Sequence, residues 1–295
     1  MTTTFFSEMR KLKEDGTTLL EITPKGHFSV AKTFDCGQCF RFDPVSDTKH
    51  ESEFSGVAYG RKISFAEEGG RLYLYGATED DFEKIWCRYL GLDTDYDEID
   101  RDILSRSNAP ALRDAVEYGK GIRILRQEPW EAVCSFIISQ NNNIPRIKKI
   151  IAAMSEKYGA SLGGGNYAFP TAKALHDAGE SEIFALKTGF RAKYIADAAA
   201  RVCDGRLDLD ALDGDTDECV KKLSTVKGIG PKVALCSLLF GFGRLDAFPV
   251  DVWIRRVMEK YFREGFTPDE LGPYAGIAQQ YLFYYERYIV SRNEK

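Results

Sequence analysis

The ten residues from Leu223 to Lys232 constrain the fold more than any other stretch. They read Leu-Ser-Thr-Val-Lys-Gly-Ile-Gly-Pro-Lys, with helical apolar spacing on both sides. Gly228 and Gly230 flank a single apolar residue, Ile229, in a turn too tight for most side chains. Pro231 opens the next helix where its missing N–H is not needed. Lys232 then falls in the first turn, beside backbone N–H groups that point out of the helix end and attract anions, phosphate included. Nineteen positions on, Asp251 follows Pro249 and takes the N-cap of another apolar-periodic helix. A tight turn, a lysine and a carboxylate, each at a helix start, therefore have to be explained together.

The 295 residues, 44% apolar and 29% charged, suffice for two domains or three small ones with filled cores. No apolar run approaches the roughly 20 residues needed to span a bilayer. Met1 to Ser7 lacks the basic start and long apolar core of a signal peptide, so the chain reads as intracellular. Seven scattered cysteines suit a reducing compartment. Cys36-Gly37-Gln38-Cys39 is the only close pair, and without a second pair it is weak support for zinc; no cysteine follows Cys236 to complete an iron–sulfur cluster. A net charge of −5 argues against coating nucleic acid by charge alone. It leaves room for a local basic face from Arg123, Arg126, Arg146, Lys148, Lys149, Arg191, Lys193, Lys227 and Lys232, although each alone reads more simply as part of a solvated helix face.

In chain order, short β-rich runs at Leu19–Thr23, Cys39–Phe42, Phe54–Tyr59, Lys62–Ala66 and Arg71–Tyr75 are punctuated by Gly, Pro and Asp, as in an antiparallel meander. The period turns helical after Glu79, where Phe82, Ile85, Trp86 and Tyr89 share a face. Pro129 and Pro145 open further helices. The spacing places short helices at about 171–178 and 181–187, a loop at Gly163–Asn166, and later helices at about 216–225, 231–241, 252–262 and 273–290. The expectation is an α+β chain: an antiparallel sheet domain with flanking helices over 1–110, with a soft boundary near 78, then a mainly helical domain over 111–295 holding the tight turn within 216–241.

Lys232 has two readings. As a phosphate contact it needs only its charge. As a nucleophile it must be neutral, and at an unperturbed pKa of about 10.4 only ~0.04% is neutral at pH 7. A helix N-terminus disfavours the ammonium by roughly 0.3–1 kcal/mol, too little alone, so a dry pocket would have to do the rest. Spacing does not choose between the two. Asp251 is most simply a cap, but a carboxylate facing a pocket could also stabilise positive charge on a sugar ring as a base departs. Such a charge would also raise the pKa of Lys232 and oppose an unassisted nucleophile.

Gly228-Ile229-Gly230-Pro231-Lys232-Val233-Ala234 with Pro249-Val250-Asp251-Val252 resembles the helix-hairpin-helix/GPD superfamily of DNA repair glycosylases. Four other stretches are similar to its 8-oxoguanine DNA glycosylase/AP lyase branch: Cys36-Gly37-Gln38-Cys39-Phe40-Arg41, Ile124-Leu125-Arg126-Gln127-Glu128-Pro129, Ser139-Gln140-Asn141-Asn142-Asn143-Ile144-Pro145-Arg146, and Gly189-Phe190-Arg191-Ala192-Lys193-Tyr194. The matches run in order from about 18 to 290.

The resemblance implies roles. Lys232 matches the lysine that attacks C1′ and forms a Schiff base, and Asp251 the aspartate that assists base loss. Gly37 matches the glycine whose carbonyl accepts the N7–H present on 8-oxoguanine and absent from guanine, which is sensible because guanine N7 is itself an acceptor. Cys236 and Phe283 match residues that sandwich the flipped base, and Gln279 one that reads its Watson–Crick edge. Asn141 matches the group that fills the vacated gap. Phe190 matches a wedge that is tyrosine in the best-known relatives, and Arg146 with Arg191 the pair that holds the orphaned cytosine. Gly228 and Gly230 would meet the DNA backbone. No cofactor is required, though the carbonyls of Ser224, Val226 and Ile229 could hold a monovalent or divalent cation. Trp253 stands where animal relatives carry a histidine near a phosphate; tryptophan donates one hydrogen bond but no charge. The function implied is excision of 8-oxoguanine opposite cytosine from duplex DNA followed by β-elimination, by a monomer. The rivals are a glycosylase for another lesion and a non-catalytic DNA-binding module.

Overall fold

The computed structural model describes residues 6–14 and 17–290. Six antiparallel strands, β1 (Phe6–Glu14), β2 (Thr17–Pro24), β3 (Phe42–Pro44), β4 (Ser52–Ala58), β5 (Arg61–Glu68) and β6 (Arg71–Tyr75), form one sheet in the order β1-β2-β6-β5-β4-β3. The β4–β5 and β5–β6 hairpins turn at Tyr59-Gly60 and Gly69-Gly70, where both residues of each pair have positive φ, the conformation such turns demand. The buried face carries Leu20, Ile22, Phe54, Ile63, Phe65, Leu72 and Leu74. Against it packs an aromatic cluster: Phe65 stacks on Phe34 at 5.1 Å and on Tyr89 at 6.0 Å, and meets Trp86 edge-on at 5.7 Å.

Two elements here differ from the sequence expectation. The edge strand β1 was not foreseen, because its run Phe-Ser-Glu-Met-Arg-Lys-Leu-Lys-Glu is too charged to read as a strand until β2 pairs with it. The segment Cys39–Phe42 is mostly a loop, with only Phe42 entering β3; a short helix, α1 (Val30–Phe34), precedes it and is capped by Ser29. Glu79–Asp81, Phe82–Trp86 and Cys87–Tyr89 run on as one helical segment with a π-helical middle, which buries Phe82, Trp86 and Tyr89 against the sheet.

The helical part follows: α2 (Tyr96–Arg106), α3 (Pro110–Gly119), α4 (Pro129–Ser139), α5 (Ile144–Tyr158), α6 (Ala172–Ile183), α7 (Ala192–Cys203), α8 (Thr216–Leu223), α9 (Pro231–Phe242), α10 (Val252–Tyr261) and α11 (Ala275–Tyr284). The expected break near 180 falls at Gly179, whose φ of 77° kinks α6. The glycine run after α5 is the turn of a two-strand hairpin, β7 (Ser161–Gly163) and β8 (Asn166–Tyr167), rather than a plain loop.

The two hydrophobic cores do not divide at one point in the chain. Tyr96, Ile99 and Ile103 of α2 pack into the helical core, as do Cys36 and Phe40 from the loop between α1 and β3, whereas Leu125 joins the sheet core. That exchange places the Cys36–Cys39 loop at the seam. A salt bridge, Arg41–Glu131 at 3.2 Å, ties the seam to α4 with both side chains about nine-tenths buried. Burial pushes the Glu131 carboxyl up to about 7, even with the Arg41 guanidinium pulling it down.

Candidate active site

The tight turn forms as its sequence requires, with one difference. Gly228 has φ +78, and a Cβ there would sit 2.4 Å from the Tyr194 ring, so this position admits only glycine. Gly230 is extended (φ −92°, ψ 178°) and has open space around it, so the turn itself does not exclude a side chain there. Its bareness leaves the start of α9 open to an approaching group. Ile229, 4% exposed, plugs the turn into the core, and the Lys227 N–H donates to Asp197 of α7 at 2.8 Å.

Lys232, one residue into α9, is half-buried. One turn on, the Cys236 thiol is buried and its pKa is raised by burial; the Lys232 ammonium, which hydrogen-bonds it, pulls the other way, and Asp251 adds to the rise. Lysine, thiol and carboxylate thus share one electrostatic neighbourhood. Asp251 is the N-cap of α10: its Oδ1 accepts from the Ile254 N–H at 2.8 Å, which commits one carboxylate oxygen.

These groups line a cleft of about 70 Å³ with Gly37, Phe136, Phe240, Gln279 and Phe283. Gly37 has φ +83, and Phe283 lies 3.7 Å from where its Cβ would be. Gln279 is 6% exposed and its Oε1, fully buried, has no hydrogen-bond partner. An unpaired buried acceptor costs about 1–3 kcal/mol, so its presence beside a cleft points to a ligand that donates. Five expected residues therefore converge with Lys232 here: Gly37, Cys236, Asp251, Gln279 and Phe283. Phe136 and Phe240, stacked at 5.4 Å, were missed, since aromatics at helical spacing read as core. A larger cleft of about 430 Å³ opens between β4, β5 and α5, lined by Arg41, Lys62 and Lys148, but it holds neither the lysine nor the carboxylate of the pair at the helix starts.

A second group gathers at a separate surface. Asn141, exposed, has φ +48, a strained left-handed conformation that asparagine tolerates better than most. Phe190, 47% exposed, meets Tyr194 edge-on at 5.9 Å and is faced by the Arg191 guanidinium at 4.4 Å. Arg191 itself is 3% exposed. Its Nε donates to the Gln140 carbonyl at 2.8 Å, Nη2 to the Gln140 and Asn141 carbonyls, and Nη1 to Thr188 at 3.1 Å. It therefore braces the Asn141 turn. Arg146 stays exposed, with Nη2 donating to the Lys187 carbonyl at 3.3 Å. Two guanidiniums lie close enough that Arg146 lowers the pKa of Arg191, after burial.

The anticipated basic face is smaller than its sequence suggests. Arg123 is buried, Arg126 pairs with Asp93, and Lys148 pairs with Asp43 at 2.8 Å. Arg146, Lys149, Lys193 and Lys227 remain exposed. Trp253 lies at the start of α10 with Arg256 5.5 Å from its ring, so a positive charge stands one turn beyond the indole. All seven cysteines are free, and among the described residues no three His, Cys, Asp or Glu groups are placed to hold a metal. No helix of the described residues is long and apolar enough to cross a membrane.

Comparison with known proteins agrees with this geometry. Residues 21–133 match the N-terminal domain of 8-oxoguanine DNA glycosylase, and residues 134–271 match the HhH-GPD superfamily of base excision DNA repair proteins. The chain is 32% identical over 160 residues to the N-glycosylase/DNA lyase of Saccharomyces cerevisiae, a match that covers 49% of this chain and 43% of that protein. It is 31% identical over 190 residues to the N-glycosylase/DNA lyase OGG1 of Arabidopsis thaliana, covering 61% of this chain and 52% of that one. The match thus spans about half the length of these curated relatives. The apo structure of the Clostridium acetobutylicum 8-oxoguanine glycosylase/lyase superposes with a TM-score of 0.87 at 36% identity, over 95% of this chain and 99% of that one. A structure of the same clostridial enzyme with double-stranded DNA containing cytosine opposite 8-oxoguanine gives 0.86 at 35%, over 99% and 100%. A sheet domain joined to a helical domain at a lysine–thiol–carboxylate cleft, matched along nearly its whole length, places the chain in the 8-oxoguanine DNA glycosylase family of the HhH-GPD superfamily.

Proposed function

We propose that the protein removes 8-oxoguanine paired with cytosine from duplex DNA and then nicks the strand at the resulting abasic site. The observation that carries this reading is the convergence of Lys232, Cys236 and Asp251 with the Gly37 loop and the unpaired Gln279 acceptor in one cleft. Gln279 Oε1 suits the N1–H and exocyclic amine of an 8-oxoguanine, and the Gly37 carbonyl suits its N7–H.

The chemistry needs no cofactor. Neutral Lys232 Nζ attacks C1′ while the C1′–N9 bond breaks and its electron pair leaves with the base, which takes up a proton. Asp251 stabilises the positive charge that develops on the sugar. Loss of a proton from nitrogen and ring opening give a Schiff base. Removal of a C2′ proton then expels the 3′ phosphate by β-elimination, and water releases the lysine. Filling the cleft with a base removes water from around Lys232 and the reacting carbon.

On the duplex side, Asn141 and Phe190 fill the gap and the exposed Arg146 faces the orphaned cytosine, while Arg191, buried beneath the Asn141 turn, holds the backbone that presents them. The start of α9 contacts a phosphate through Gly228 and Gly230. Among the described residues no backbone N–H donates to the carbonyls of Ser224 and Ile229, and that of Val226 receives one hydrogen bond from Ile229, which suits a cation of either valence there. The enzyme acts on DNA inside the cell. Borohydride trapping on an 8-oxoguanine duplex tests the reading. A covalent adduct that disappears in Lys232→Gln is expected; an adduct that survives the substitution, or excision that ignores the 8-oxo group, sinks it.

A further inference from the structure

The peptide that carries the Gly37 carbonyl is pinned from both sides by buried glutamines, and we propose that Gln38, Gln127 and Gln280 are positioning residues that fix its direction and so set the preference for a purine with hydrogen at N7. The inference rests on the cleft being the damaged-purine pocket.

Gly37 is the one residue of its loop that tolerates either sign of φ, so nothing local prevents the peptide that follows it from rotating. The restraint comes from elsewhere. The carbonyl before it, on Cys36, accepts from Gln280 Nε2 at 3.0 Å, across 244 residues of sequence. The carbonyl after it, on Gln38, accepts from Gln127 Nε2 at 2.8 Å. The Gln38 side chain, fully buried, anchors the same peptide from the other end: its Nε2 donates to the Thr33 carbonyl at 2.8 Å and the Arg123 carbonyl at 2.7 Å, and its Oε1 accepts from the Leu125 N–H at 2.9 Å. Among the described hydrogen bonds none reaches the Gly37 carbonyl itself. The flanking acceptors are committed and the middle one is left for a ligand.

Glutamine suits the task because its amide is long, neutral and two-sided. It ties down a carbonyl without adding a charge that would compete for the base. With the carbonyl held still, guanine presents an acceptor to an acceptor, and two buried groups go unpaired. With the carbonyl free to turn away, that penalty is relieved. Misdirection of one such hydrogen bond corresponds to about 5- to 150-fold in excision rate.

The experiment uses the full chain with Gln280→Met and, separately, Gln127→Met, side chains of similar length that donate no hydrogen bond. Single-turnover excision of 8-oxoguanine and of guanine is compared with nicking of a preformed abasic site, which has no base for the carbonyl to meet. The expected result is a fall of about tenfold or more in 8-oxoguanine excision, a smaller excess over guanine, and nicking within about twofold of the parent. Unchanged excision, or excision and nicking falling in parallel, overturns the inference while leaving the functional reading intact. A parent enzyme that does not excise 8-oxoguanine overturns both.

Discussion

The base cleft and the duplex-facing surface solve different problems with different physics. In the cleft, the groups that would touch the base are buried or half-buried and their supports are committed: the Gly37 loop is held by three amides, and Asp251 has one oxygen locked in a helix cap. At the other surface Asn141 and Phe190 project into solvent, and what is buried is the brace beneath them, the Arg191 guanidinium spread over three carbonyls. Discrimination between two purines by the presence of a hydrogen at N7 requires a carbonyl that does not move. Entering a duplex requires protruding groups whose backbone is already set. Both regions therefore spend buried polar side chains on backbone carbonyls, one to aim an acceptor inward and the other to hold a wedge outward.

Substitutions at the two regions separate these roles, and the largest effect is expected at the nucleophile. Lys232→Gln should lower both excision and nicking by about 10⁴-fold or more, with duplex binding retained, since the lost group acts in bond making rather than docking. Single-turnover rates together with a binding titration check this. Asp251→Asn should follow at about 10²- to 10³-fold in excision. Asparagine also caps a helix, so the unfolding midpoint should hold, whereas Asp251→Ala should lose about 1 kcal/mol of stability as well. If Asp251→Asn kept full activity, the carboxylate would be only a cap.

Phe190→Ala sharpens the contrast from the outer surface. Excision from duplex DNA should drop about tenfold while stability changes little, because the ring is half exposed. Asn141→Gly should weaken excision too while relieving the left-handed strain at that position, so a stability gain of up to ~1 kcal/mol accompanies the loss of activity. A Phe190→Ala protein that excised normally from duplex would remove the wedge from the account.

The smallest effect concerns the seam. The Glu131 carboxyl, at about 7 in the folded chain against 4.5 ordinarily, binds a proton more tightly folded than unfolded. Stability is therefore full below about pH 4.5 and declines as pH rises toward 7, as burial penalises the anion. Glu131→Gln should flatten that decline by a few degrees of unfolding midpoint without altering excision. Asp100, pushed up to about 6 mainly by burial while its hydrogen bond from Tyr281 pulls it down, contributes a decline of the same sign over an overlapping range, so the curve should flatten rather than vanish.

The local devices were legible in the chain itself. The turn at Gly228, the proline-started helix that carries Lys232, the cap at Asp251 and the break at Gly179 each depend on a few neighbouring residues, and all are present. The sequence resemblance also named Gly37, Lys232, Cys236, Asp251, Gln279 and Phe283, which meet in the cleft. Gln280 was overlooked although a signal existed: it is a polar residue beside Gln279 within the otherwise apolar run Ala275–Phe283, and buried amides require partners. β1 was overlooked because charge hides an edge strand until it is paired.

The short-range conformations are therefore set by neighbouring residues: which residue caps, which turns, which opens a helix. Which carbonyl remains free for a ligand, and which arginine is a brace, depends on how distant segments pack together. Arg191 and Arg146 look alike in sequence, and one is 3% exposed while the other is open to solvent. The difference follows from packing between α4 and α7, and the aim of Gly37 from bonds that cross 89 and 244 residues. Hydrogen bonds and burial over such separations depend on how the two cores meet at the seam, which no spacing of residues along the chain encodes.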